Sequence, residues 1–76
     1  MRHTAILELL RQEPFHPFKI HMSDGRWFLV EHEDQVLVSP LKIVFGVGRT
    51  ADHEVSRFEH LSLLHVTGLE EMQPND

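Results

Sequence analysis

The stretch Phe18-Lys19-Ile20-His21-Met22-Ser23-Asp24-Gly25-Arg26-Trp27-Phe28-Leu29-Val30-Glu31 decides how this chain folds. From Phe18 to Met22 the apolar residues fall on even positions, the period of a strand with one buried face. Asp24-Gly25 marks a hairpin turn, and the length of that turn decides which side chains share a face. A two-residue loop would set Met22 across from Trp27 and Ile20 across from Leu29, sending Phe28 and Val30 to the side of Lys19 and His21. A three-residue loop, Ser23-Asp24-Gly25, sets Met22 across from Arg26 and Ile20 across from Phe28. It gathers Phe18, Ile20, Met22, Phe28 and Val30 on one apolar face and leaves Lys19, His21, Trp27, Leu29 and Glu31 on the other. The second register is predicted, with Gly25 left-handed at the bulge that closes such a loop.

Toward the N-terminus, Ile6, Leu9 and Leu10 fall on one helical stripe, which predicts a helix over about 4–12. Thr4 is its expected N-cap, and Pro14 ends it. Glu8 and Arg11 lie toward the helix ends that suit their charges. A helix this short is marginal alone and must dock its apolar stripe on the rest of the chain. Pro14-Phe15-His16-Pro17-Phe18 reads as a stiff connector anchored by two phenylalanines.

Toward the C-terminus, strands are expected at 26–31, 35–38, 41–47, 53–58 and 63–69, in addition to 18–22. Leu41, Ile43, Phe45 and Val47 share one face. A turn is expected at 48–52 with Gly48 at positive φ, a second turn at 59–62, and a frayed tail over 70–76. The predicted class is α+β, mainly β. An N-terminal helix precedes a five-strand antiparallel meander that bends into an SH3-like or Sm-like small barrel. The alternative is an open meander with the helix on one face.

Composition bounds the rest. The 76 residues make one domain, spanning 1–76, and a chain of this mass buries roughly 63% of its surface on folding. There is no cysteine to staple the fold. The apolar runs, among them Trp27–Val30 and Val44–Val47, are far too short for a membrane span, and the N-terminus lacks a signal-peptide core. A cytoplasmic location is expected. The net charge of −5 argues against non-specific binding to phosphate backbones.

Seven histidines stand out: His3, His16, His21, His32, His53, His60 and His65. Metal sites favour imidazoles two apart on a strand or four apart on a helix, and no pair here has either spacing. A composite site would have to recruit carboxylates, as in Asp52-His53-Glu54. The reading adopted is a dispersed surface set that titrates near pH 6.5 with no metal and no cofactor. Adding seven protonated imidazoles to −5 gives +2, so the net charge changes sign at mildly acidic pH.

Ser23, Ser39, Ser56 and Ser62 lack a nucleophile setting. Gly46-Val47-Gly48-Arg49-Thr50 lacks the full pattern of a phosphate loop. No enzymatic activity is expected.

The segment Pro14-Phe15-His16-Pro17-Phe18-Lys19-Ile20-His21-Met22-Ser23-Asp24-Gly25-Arg26, with Leu64-His65-Val66-Thr67-Gly68-Leu69-Glu70 near the end, resembles a group of short, uncharacterised bacterial proteins. These open with a leucine-rich helix, followed by Pro-Phe-x-Pro-Phe-x-Ile and an Asp-Gly turn. The resemblance implies no catalytic residues. Trp27 and Leu29 depart from it, standing where polar residues are expected. More distantly, the order helix, strand, Asp-Gly turn, strand resembles the Sm-like fold.

The outer face of the first hairpin is the candidate site. His21 faces Trp27 and Lys19 faces Leu29. Tryptophan on a non-core face is a common interface anchor. Either the helix covers this patch, or a partner does, with a second copy of the chain favoured. The expected function is therefore a small-barrel interaction module acting through protein–protein contact. An Sm-like RNA binder would need Arg26, Lys42, Arg49 and Arg57 clustered. A His/Asp metal protein would need the scattered histidines gathered.

Overall fold

The computed structural model describes residues 1–48, 52 and 54–72. Its first hairpin takes the three-residue register. β1 (Phe18–Met22) pairs with β2 (Trp27–Val30), with Ile20 opposite Phe28 and His21 opposite Trp27. The Gly25 N–H donates to Met22 O at 3.1 Å and the Met22 N–H donates to Arg26 O at 2.9 Å. Gly25 has φ +91°, the left-handed region that costs an L-residue strain. Asp24 completes the turn, because its Oδ1 accepts the Arg26 N–H at 3.0 Å.

The inner face is as the alternation requires. Phe18, Ile20, Met22 and Val30 are buried, and Phe28 is half-buried against Phe45, with ring centroids 5.4 Å apart. Ile6 of helix α1 (His3–Leu10) is fully buried in the same core, with Leu9 and Leu10 packed at its margin. The helix thus docks through the predicted stripe and lies against β3 (Val36–Val38). Its start differs from the expectation. Arg2 is the N-cap, with no side-chain cap bond, and the Ala5 N–H already reaches Arg2 O at 3.1 Å. The chain is therefore turning before Thr4 can cap it. The helix ends at Arg11, ahead of Pro14.

Six strands, one more than the expected meander, form two three-stranded antiparallel sheets, β2-β1-β6 and β3-β4-β5, where β4 is Lys42–Val47, β5 is Arg57–Ser62 and β6 is Val66–Glu71, and among the described residues they form no closed barrel. The chain crosses between the sheets at two short 3₁₀ turns, Glu33–Gln35 and Leu63–His65. These turns break the ladder between β2 and β3 and between β5 and β6, which is why the meander does not close. The element order strand, strand, 3₁₀ turn, strand occurs twice, and each half sends its third strand into the other half's sheet. Gln35 ties the first crossing down: its Oε1 accepts the Glu31 N–H at 2.9 Å and its Nε2 donates to Gly46 O at 3.0 Å.

Several expected boundaries move. β4 is Lys42–Val47, and Leu41 stands outside it, 76% exposed rather than inward. The Ser39–Lys42 turn is the cause. Its backbone and hydroxyl bonds, 2.9–3.1 Å long, hold Leu41 at the tip. β5 is Arg57–Ser62, not 53–58, and occupies the place of the turn expected at 59–62. Its pairing with β4 runs from Val47↔Arg57 to Lys42↔Ser62 and buries Leu61 opposite Ile43. Glu54, Val55 and Ser56 precede the strand.

Gly48 has the expected positive φ, +72°, while the rest of the 48–52 turn falls largely outside the described residues. β6 is Val66–Glu71, so Glu70 and Glu71 belong to the sheet, opposite Lys19 and Phe18, and not to a frayed tail. The Met72 N–H also bonds Pro17 O at 2.9 Å. Residues 73–76 lie outside the described residues.

Candidate functional site

On the outer face of the β2-β1-β6 sheet, the hairpin register sets His21 beside Trp27 and Lys19 beside Leu29. β6 adds Gly68 opposite His21 and Glu70 opposite Lys19. All four predicted residues are therefore brought together on one side. Trp27 is 53% exposed, while Lys19, His21 and Leu29 are half-buried. The Lys19 ammonium stands 4.3 Å from the Trp27 ring centroid, a cation–π contact of about 0.5–1 kcal/mol at such a site. His21 Nε2 lies 3.0 Å from Glu70 Oε1.

The helix does not cover this face, because Ile6, Leu9 and Leu10 pack into the core on the opposite side of the sheet. The Lys19 ammonium lies over one face of the Trp27 ring, and the residue stays exposed.

Asp24 and Gly25, singled out as turn residues, hold the end of this face. Arg26 Nε lies 2.7 Å from Asp24 Oδ2. The Arg26 backbone N–H, helped by its guanidinium, holds the Asp24 carboxyl below the usual carboxylate range, against the opposing effect of desolvation.

The outer face of the other sheet carries apolar residues that no local period of the sequence marks. Leu37 lies beside Val44, and Val44 beside His60, with Phe58 one pair further along. Leu37 is 71% and Phe58 61% exposed. Each sits in a strand whose alternation becomes visible only after β5 is placed.

A cleft of about 280 Å³ opens between the first hairpin turn and the end of β5, lined by Met22, Ser23, Asp24, Arg26, His60, Leu61 and His65. His65 Nδ1 lies 3.4 Å from Ser23 Oγ, and Lys42 Nζ lies 3.3 Å from His60 Nδ1. Lysine only donates, so this contact is a hydrogen bond when His60 Nδ1 accepts. His60 lies in β5 and His65 ends the 3₁₀ turn that follows it, and this turn brings the two, five apart, to one cleft. No local spacing signals that.

None of the described histidines is buried, and His53 lies outside the described residues. Among the described residues no group of three histidines or carboxylates is placed to hold a metal ion. Of the four cations that an RNA-binding surface would need, two stand beside carboxylates. Arg26 is engaged by Asp24, and Arg57 Nε lies 3.4 Å from Glu59 Oε1. Arg26 and Arg57 line different clefts, and Arg49 is outside the described residues. Among the described residues no helix is long and apolar enough to cross a membrane.

Comparison with protein-family models, curated proteins and solved structures finds no match to this chain.

Proposed function

We propose that this chain is a non-enzymatic interaction module that associates with a second copy of itself through the outer face of the β2-β1-β6 sheet. The observation that carries the reading is Trp27, a half-exposed indole on a sheet face that the chain's own helix leaves uncovered. Leu29 extends the apolar surface along β2, and Lys19 and the His21–Glu70 contact form a polar rim. An aromatic anchor inside a polar rim is the arrangement in which a few side chains carry most of the binding energy. Covering it also helps a domain of 76 residues, whose own core is small.

Sedimentation velocity across a dilution series tests the reading. Trp27→Ser is expected to raise the dissociation constant about 30-fold, as loss of an anchor worth about 2 kcal/mol requires. Its denaturant midpoint should change little, because the side chain lies outside the core. A wild-type chain that stays monomeric to millimolar concentration overturns the proposal. So does an association that Trp27→Ser leaves intact.

A further inference from the structure

The two sheets present four edges, and three of them are blunted. β5, Arg57-Phe58-Glu59-His60-Leu61-Ser62, carries charges of both signs. β6 ends in Glu70-Glu71. β3 is only three residues long and lies against the helix. Charge, brevity and cover are the usual means of preventing strand addition. Among the described residues β2 has neither charge nor a covering helix: Trp27-Phe28-Leu29-Val30 is apolar throughout, without proline or bulge.

The register says which backbone groups are free. Antiparallel pairs alternate between hydrogen-bonded and non-bonded. The Met22 N–H to Arg26 O bond makes Met22–Arg26 a bonded pair, so Ile20–Phe28 and Phe18–Val30 are bonded too. His21–Trp27 and Lys19–Leu29 are the non-bonded pairs. The N–H and C=O groups of Trp27 and Leu29 therefore point away from β1, and among the described residues no bond to them is made elsewhere.

We infer that the second copy docks by strand addition, β2 against β2, antiparallel about a two-fold axis through Phe28. The inference rests on the self-association proposed above and places its contact at the β2 edge, where the two outer faces meet side by side. With Phe28 on the axis, Trp27 of one copy lies opposite Leu29 of the other, and the free groups of each satisfy those of its opposite. A two-fold axis requires such self-complementarity. The sheet then runs β6-β1-β2-β2-β1-β6, and the Trp27 and Leu29 side chains of both copies merge on its outer face.

Charge agrees with this register. Glu31 continues the outer-face alternation and makes no ion pair among the described residues. In the pair it falls diagonally beside Trp27 of the other copy, over which that copy's Lys19 ammonium stands.

Two measurements on the full chain decide it. The first is amide hydrogen exchange at concentrations above and below the association midpoint. The Trp27 and Leu29 amides are expected to slow at least tenfold on association. The second compares Leu29→Pro with Leu29→Ser. The Leu29 N–H does not donate to β1, so proline on this edge spares the hairpin ladder. Leu29→Pro should abolish association while retaining folded amide dispersion, and Leu29→Ser should only weaken it. An associated wild type whose Trp27 and Leu29 amides exchange no slower than in the monomer overturns the pairing and leaves self-association standing. A folded Leu29→Pro that still associates does the same. A wild type that never associates overturns both.

Discussion

Replacing Gly25 by alanine isolates the one feature on which the first hairpin's register depends. Gly25 sits at φ +91°, and a Cβ added there meets nothing within 4 Å. Packing therefore contributes nothing to the change, and the whole effect is backbone conformation. Holding an L-residue in a left-handed conformation costs about 1–2 kcal/mol. Alanine also restricts the unfolded chain, which returns about 0.4–1 kcal/mol. The net expectation is a loss of about 1 kcal/mol, equivalent to about 4–8 °C in Tm for a domain of this size.

Gly68 supplies the control. It too has open space where a Cβ would stand, but its φ is not positive. Gly68→Ala should be neutral or stabilising by up to about 1 kcal/mol. Urea melts followed by far-UV circular dichroism measure both. With a slope of about 1 kcal/mol per molar urea, the Gly25→Ala midpoint should fall by about 1 M while that of Gly68→Ala holds or rises. Equal losses at the two positions, or no loss at Gly25, would refute the left-handed bulge and with it the argument for which side chains line each face.

Two further expectations follow from single contacts. A Cβ at Gly46 would stand 2.8 Å from Val55 Cγ1, so Gly46→Ala should cost about 1–3 kcal/mol by overpacking; in a double-mutant cycle Val55→Ala should recover most of that loss, and additive effects would contradict the contact. Asp24 has its pKa lowered in the fold, first by the Arg26 backbone N–H, so its carboxylate stabilises the fold above its unfolded pKa of about 3.9, and that contribution disappears as pH falls through the lower folded value. Asp24→Asn should therefore be less stable than wild type at pH 7 and indistinguishable from it near pH 2, and a difference that persists undiminished at low pH would show that charge is not its origin.

The first hairpin was legible from sequence because every piece of information it needs is local. An alternating strand, a turn with one left-handed glycine and a second apolar strand admit only one register that keeps both apolar sets on the same side. The helix stripe was legible for the same reason: Ile6, Leu9 and Leu10 recur at the helical period and are the residues that reach the core. Placing Trp27, Leu29, His21 and Lys19 on one outer face followed directly from that register.

Tertiary structure decided what depends on pairing between distant segments. β5 lies at 57–62 because its ladder to β4 buries Leu61 on Ile43, although the local sequence there alternates poorly. The two sheets stay separate because the 3₁₀ turns at Glu33–Gln35 and Leu63–His65 carry the chain from one to the other. Nothing in the period of either flanking strand marks such a crossing. The cleft that unites Ser23, His60 and His65 exists only after both crossings are made. Local periodicity determines which face of a segment is apolar. Which other segment covers that face is settled by the whole chain's competition for burial.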